Sequence, residues 1–131
     1  MIDWVGVIAA SGRAKNPAFK VFPQNGWELL GHDDYVALVD GIGVESLYTD
    51  GSEKRTREQL IYAYGFLDRL GAKGKLVLTI EYARQPALMR FAWEEAQAKK
   101  FLLLYAEKDL GSPGLVVPLP DPVQKLPAPK Q

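Results

Sequence analysis

The sequence predicts an α/β fold in which helices alternate with parallel strands. Residues 75–80 and 101–105 are almost continuous apolar runs, which is typical of strands buried on both faces. A helical pattern precedes each run, and the links between helices and strands are short. Strands connected in this way by helical crossovers run parallel to one another. The order of elements, α and then β-α-β-α-β-α-β, fits a small doubly wound sheet or half of an eight-stranded barrel.

The first element is a helix over residues 1–13, where apolar side chains recur at helical spacing. Pro17 ends this helix, because a residue that precedes proline avoids the helical region. The first strand is predicted over 19–22, and the turn-forming residues 23–26 close it. Between residues 27 and 38 the pattern fits one interrupted helix or two short ones.

The second strand is predicted over 39–44 and contains two glycines, which let another backbone or a ligand approach closely. Thr56 begins the next helix. Gln59, three residues further on, completes a capping box in which each side chain bonds a backbone N–H at the helix start. Gly71 or Gly74 provides the left-handed exit from this helix.

The third strand is predicted over 75–80, a further helix begins at Pro86, and the fourth strand covers 101–105. Six of the nine prolines follow Gly111, so the last residues cannot form a helix and are expected to run extended. We therefore divide the chain into a β/α domain over 1–110 and a proline-rich tail over 111–131.

Charge and composition exclude several classes of partner and cofactor. Sixteen basic and sixteen acidic residues cancel, so no broad positive field attracts nucleic acid. Cysteine is absent and His32 is the single histidine, so a thiolate or histidine-rich metal site is excluded. We expect neither a metal nor an organic cofactor. The sequence contains no apolar run of about 20 residues that could span a membrane, and it shows no export signal.

Ligands of parallel α/β folds bind at the carboxyl ends of the strands. The opposite ends of the predicted strands carry little except lysines. Polar side chains follow all four strands: Gln24 and Asn25, Glu45 and Ser46, Glu81 and Tyr82, and Glu107 and Lys108.

Glu45 and Glu81 follow neighbouring strands and could share one cleft. Hydrolysis of a glycosidic bond uses two carboxyl groups, one that donates a proton and one that attacks or activates water. Tyr48, Tyr82 and Tyr105 near the same edge could stack on sugar rings or bind hydroxyl groups. In the alternative interpretation Glu81 and Glu107 are solvated loop acids and the tyrosines pack at the rim.

Six segments in this order resemble the endo-α-1,4-polygalactosaminidase family, glycoside hydrolase family 114. The resemblance covers about residues 1–110, and its most specific parts are PQNG over 23–26 and DGIGVE over 40–45. The segments are MIDWV over 1–5, FPQNG over 22–26, DGIGVESLY over 40–48, FLDRL over 66–70, GKLVLTIEYA over 74–83 and the final predicted strand over 101–105.

The resemblance implies a (β/α)₈ barrel of the TIM type, of roughly twice this length. It makes the four predicted strands the fifth to eighth of that barrel, so the chain would be its C-terminal half. It also implies that Glu45 matches the catalytic glutamate, whereas the catalytic aspartate lies at the end of the fourth strand, outside this chain. Glu81 and Tyr82 would belong to the pocket rim. We add Gln24, Asn25, Tyr48 and Tyr105 as candidate substrate-binding residues.

In its full-length form such a protein would hydrolyse α-1,4-linked galactosaminoglycan. Half a barrel leaves an open sheet edge on each side. We therefore expect this chain to pair with a second copy of itself or with a missing N-terminal half, and to be inactive in isolation. The alternative is a non-catalytic, carbohydrate-binding or self-assembling half-barrel. A third hypothesis is a doubly wound small-molecule-binding domain, in which the strand order would reverse. Members of the family are commonly exported, but this sequence shows no export signal. The compartment of this chain therefore stays open.

Overall fold

The computed structural model describes residues 1–109 and the backbone of residues 115–117. Its helices are α1 (Ile2–Lys15), a 3₁₀ helix (Trp27–Gly31), α2 (Asp33–Leu38), α3 (Arg57–Gly71) and α4 (Pro86–Lys99). Its strands are β1 (Gly41–Glu45), β2 (Leu76–Glu81), β3 (Leu102–Tyr105) and β4 (Leu115–Val117). The ambiguous region before β1 therefore forms two short helical elements rather than one interrupted helix.

The sheet follows the order of the chain, β1-β2-β3-β4, without a reversal. β1, β2 and β3 are parallel, and Gly43, Leu78 and Leu102 lie side by side across them. α3 connects β1 to β2, and α4 connects β2 to β3. The four pairs of polar residues that the sequence places after the predicted strands therefore lie at one edge of a parallel sheet or in the loop beside it.

The prediction of a strand over residues 19–22 is wrong. In the described part of the chain residues 19–22 form no strand, and the isolated bridge to β1 lies just after them at Gln24, where the Gly43 N–H donates to the Pro23 carbonyl at 2.8 Å. The Asn25 N–H then donates to the Gly43 carbonyl at 2.7 Å. Pro23 has no N–H to extend the ladder. Asn25 and Gly26 adopt positive φ angles of 58° and 65°, which turn the chain away from the sheet.

The expectation of an open edge beside the last parallel strand is also wrong. β4 comes from the predicted tail and pairs antiparallel with β3, with Leu104 opposite Val116. This pairing uses backbone groups at the position where another barrel strand would have to bind. The rest of the predicted tail, residues 111–114 and 118–131, lies outside the described residues, as does residue 110.

The two faces of the sheet differ sharply in burial. One face, which we call the helix face, packs against α3 and α4; Ile42, Val44 and Leu103 are each 4% exposed or less. The opposite face, here the open face, is less covered, and Leu76 and Leu102 each remain 48% exposed. The open face consists of Gly41, Gly43, Glu45, Leu76, Leu78, Ile80, Leu102 and Leu104. Alternation along the strands assigns each residue to one face or the other.

The amino-terminal edge of the sheet is held by charged side chains. Asp40 accepts hydrogen bonds from Arg13 and from the Val21 N–H, both at 2.8 Å, and pairs with Lys20 at 3.3 Å. Burial raises the pKa of Asp40, but these hydrogen bonds outweigh it, and the pKa lies below its usual value. The Lys75 ammonium donates to carbonyls at the end of α2. These contacts give this edge a structural role.

The predicted capping box at the start of α3 is confirmed. The Gln59 N–H donates to the Thr56 hydroxyl at 3.3 Å, and the Thr56 N–H donates to the Gln59 side-chain oxygen at 2.8 Å.

We expect Thr56→Ala to lower the free energy of unfolding by about 1 kcal/mol, because the helix loses this cap. Urea denaturation followed by circular dichroism measures the loss. Thr56→Ser, which keeps the hydroxyl, serves as the control and should stay close to wild type. An equal loss in both variants would contradict the capping role.

Candidate functional site

Glu45 lies at the carboxyl end of β1, and its side chain is exposed on the open face. Neighbours on both sides fix its position. The Tyr82 hydroxyl donates to Glu45 Oε1 at 3.1 Å, and the Asn25 side-chain oxygen accepts from the Glu45 N–H at 2.9 Å. Burial raises the pKa of Tyr82, and the hydrogen bond to Glu45 adds to this shift. The structure thus brings together three of the predicted site residues: Tyr82 bonds the exposed carboxylate of Glu45, and Asn25 bonds its backbone N–H.

Gln24 lies next to this group, over β1. A Cβ atom added to Gly43 would be 2.2 Å from the Gln24 Oε1 atom, so the carboxamide occupies the space left by the missing side chain. The glycine in this strand therefore has a local reason, as the sequence pattern indicated. Gln24 and Glu45 share the open face, because Gly43 and Glu45 are two residues apart on one strand.

The loop after Glu45 turns sharply back toward β2. Ser46 adopts a positive φ of 51°, and its N–H donates to the Ile80 carbonyl at 2.8 Å. The Arg55 N–H donates to the Tyr48 carbonyl at 2.8 Å, which closes the loop at its far end. Beyond Ser46 the loop therefore passes below the edge of the sheet to the helix face.

The expectation that Glu81 lies on the pocket rim or is a solvated loop acid is wrong. Its side chain is fully buried, at 0% exposure. The Tyr48 N–H donates to Glu81 Oε1 at 2.9 Å, while the Thr49 N–H and hydroxyl donate to Oε2 at 3.1 and 2.8 Å. Burial raises the pKa of Glu81 above its usual value, although these hydrogen bonds act in the opposite direction. Glu81 therefore holds the loop rather than facing a cleft.

Tyr48 and Tyr105 also differ from expectation, because both are buried and cannot stack on a sugar. Tyr48 is 0% exposed, and its hydroxyl has no hydrogen-bond partner within the described residues. Tyr105 donates its hydroxyl proton to the Met89 carbonyl. Burial raises the pKa of both phenols well above the usual range. Tyr105 lies beside Glu81 in the sheet register and shares its face.

Two further strand-end residues, Glu107 and Lys108, are exposed after β3. Sequence reasoning missed Thr49, which binds Glu81 through both its N–H and its hydroxyl. The local pattern carries no signal for this role, because the two residues are 32 positions apart.

The described residues contain no group of three or more histidine, cysteine, aspartate or glutamate side chains that could hold a metal ion. Within the same residues, no helix is both long and apolar enough to cross a membrane.

No protein-family model matches this chain. It is 40% identical over 114 residues to an uncharacterized protein of Deinococcus radiodurans, an alignment that covers 84% of this chain. It is 37% identical over 86 residues to an uncharacterized protein of Methanocaldococcus jannaschii, and 35% identical over 88 residues to one of Thermotoga maritima. Each of these two alignments covers 63% of the chain.

All three relatives are considerably longer than the region that they share with this chain. The chain spans 36% of the Deinococcus protein, 25% of the Methanocaldococcus protein and 26% of the Thermotoga protein. Most of each relative therefore lies outside the aligned segment.

Proposed function

We propose that this chain is a carbohydrate-binding segment of a glycoside hydrolase of the endo-α-1,4-polygalactosaminidase kind, in which Glu45 is one of two catalytic carboxylates. The observation that carries this proposal is the position of Glu45. Its carboxylate is exposed at the carboxyl edge of a parallel sheet and accepts a hydrogen bond from Tyr82 at 3.1 Å. Active sites of (β/α)₈ enzymes lie at this edge, and glycosidic hydrolysis needs positioned carboxyl groups.

The neighbours of Glu45 suit a polyhydroxylated ligand that carries amino groups. Gln24, Asn25 and Tyr82 offer carboxamide and phenol groups that exchange hydrogen bonds with sugar hydroxyls. An ionised Glu45 would attract the ammonium group of a galactosamine unit. Tyr48, Glu81 and Tyr105 have no part in the proposed contact surface, because all three are buried.

Three observations support the C-terminal half of a (β/α)₈ barrel, strands five to eight, as the context of this site. The parallel strands are neighbours in chain order, as in a barrel. The open face carries aliphatic side chains such as Leu76 and Leu102, which fill the interior of such barrels. The relatives also have enough additional length for further β/α units. Completion by a second copy or by an N-terminal half would require β4 to leave the edge of β3.

Binding without cleavage is the second candidate for this chain by itself. Glu81 is buried and accepts three hydrogen bonds from the loop, so it is not free to act as the second carboxylate. We therefore expect the isolated chain to bind galactosamine oligomers and to release no reducing ends from them.

Isothermal titration of α-1,4-linked galactosamine oligomers into the chain tests the binding surface. We expect saturable binding that weakens about tenfold in Tyr82→Phe, which loses one hydrogen-bonding hydroxyl. Glu107→Gln is the matched control, because Glu107 is also exposed after a parallel strand but is not among the groups around Glu45. Absence of binding, or an equal loss in the control, would contradict the proposed surface.

A reducing-end assay on the Deinococcus relative tests the catalytic part of the proposal. We expect that longer protein to cleave the polymer, and we expect replacement of the glutamate aligned with Glu45 by glutamine to slow cleavage at least 10²-fold. Cleavage that survives this replacement would remove Glu45 from the proposed mechanism.

A further inference from the structure

The end of β2 contacts Glu45 on one face of the sheet and the loop after Glu45 on the other face. Tyr82 on the open face donates to the Glu45 carboxylate at 3.1 Å. Glu81, the preceding residue, points to the helix face and accepts from the Tyr48 N–H at 2.9 Å. Glu81, the last residue of β2, therefore holds the loop, and Tyr82, the next residue, holds the carboxylate that precedes it.

Both carboxylate oxygens of the buried Glu81 accept hydrogen bonds. Tyr48 and Thr49 direct three donors at its two oxygens, over distances of 2.8 to 3.1 Å. Among residues 1–109 no lysine or arginine forms an ion pair with Glu81. A buried carboxylate is costly unless it is hydrogen-bonded, so these donors are needed and the loop geometry is strongly constrained.

The loop transmits this constraint to Glu45. Only Ser46 and Leu47 separate Glu45 from the two residues that bind Glu81. Ser46 is held in a positive-φ conformation and donates to the Ile80 carbonyl, which leaves the segment little freedom to absorb a shift. A displacement of Tyr48 and Thr49 would therefore move Glu45 relative to Tyr82.

We propose that Glu81 is a positioning residue: it anchors the loop over residues 46–49 from the helix face and thereby keeps the Glu45 carboxylate in register with Tyr82. The ligand consequence rests on the proposed function, because it assumes that Glu45 and Tyr82 face the glycan. The structural consequence does not depend on any ligand. The role differs from that of a substrate-binding or catalytic group, since Glu81 itself touches neither solvent nor the open face.

Thr49→Val tests this role without changing charge, since it removes only the hydroxyl that donates to Glu81. Thr49→Ser keeps the hydroxyl and should behave as wild type. Lys75→Met is the control for general destabilisation, because its ammonium bonds the carbonyls of Val36 and Val39 at the opposite end of β2.

The readout is the ¹³C chemical shift of Glu45 Cδ and Tyr82 Cζ at neutral pH, which reports their hydrogen bond. We expect both signals to move in Thr49→Val and in Glu81→Gln, and to stay in place in Thr49→Ser and Lys75→Met. We also expect glycan binding to weaken about tenfold in the first two variants. Unchanged signals in Thr49→Val and Glu81→Gln, or equal movement in Lys75→Met, would overturn the positioning role.

The two proposals can fail separately. If the wild-type chain binds no galactosamine oligomer, the proposed function fails, while the chemical shifts still decide whether Glu81 positions Glu45. If the wild type binds and the shifts stay in place in every variant, the positioning role fails and the binding surface remains.

Discussion

Gly41→Ala is expected to destabilise the protein by about 3 kcal/mol, at the upper end of the cost of adding atoms to a packed site. The added Cβ would lie 2.5 Å from the Leu76 carbonyl oxygen and 2.3 Å from the Phe22 ring. The ring can rotate away, but the carbonyl belongs to the neighbouring strand of the sheet. β1 and β2 would therefore have to move apart at their amino ends. Guanidinium denaturation followed by circular dichroism measures this loss.

Gly43→Ala, two residues along the same strand, is the matched comparison. Its added Cβ would meet the Gln24 Oε1 atom at 2.2 Å, which is the end of a flexible, exposed side chain. We expect Gln24 to swing away and stability to fall by less than about 1 kcal/mol, partly offset by the lower entropy of the unfolded chain. Equal losses in the two variants would show that the contact between the strands does not decide the cost.

Glu81→Ala is the second substitution with a large expected effect. It leaves the N–H groups of Tyr48 and Thr49 and the Thr49 hydroxyl without their acceptor. Each buried donor left unpaired costs about 1–3 kcal/mol, so we expect a total loss of about 3 kcal/mol or more. Glu81→Gln keeps one acceptor oxygen and most of the volume, so its loss should be smaller. Glu107→Ala, an exposed control, should stay close to wild type.

The loss in Glu81→Ala should also depend on pH. Burial raises the pKa of Glu81 above its ordinary value of 4.5, so the folded state binds this proton more tightly than the unfolded state does. The wild type therefore loses stability relative to Glu81→Ala as the pH rises from about 4.5 through the raised pKa. We expect the gap between the two proteins to be largest at the acidic end and to narrow above it. A gap that widens as the pH rises would contradict this direction.

Local signals in the sequence determined much of the architecture. The alternation of apolar runs and helical patterns indicated β1, β2, β3 and the helices between them, since each of these features depends on neighbours close in the chain. The capping box at Thr56 and the first-turn proline at Pro86 marked helix starts for the same reason. Glu45 was predicted at a strand end and lies there, exposed, beside Asn25 and Tyr82.

Only the tertiary structure decided which strand-end side chains reach solvent. Glu81 and Tyr82 are adjacent, and strand alternation sends one to the helix face and the other to the open face. The sequence pattern of β2 is apolar on both faces, so it could not tell which face the helices cover. The sequence also does not show to which face the side chains of Tyr48 and Tyr105 point. Both were predicted at the rim, whereas both are buried.

Long-range pairing decided the remaining differences. β4 joins β3 through residues that the sequence pattern assigns to a proline-rich tail, since the edge of β3 offers unpaired backbone N–H and C=O groups with which an extended segment can pair. The segment before Gly26 resembles a strand in composition, yet Pro23 cannot donate to the ladder and the two residues after Gln24 turn the chain away. Composition and periodicity thus determined which elements form, whereas contacts between residues far apart in the chain determined their partners and the direction of their side chains.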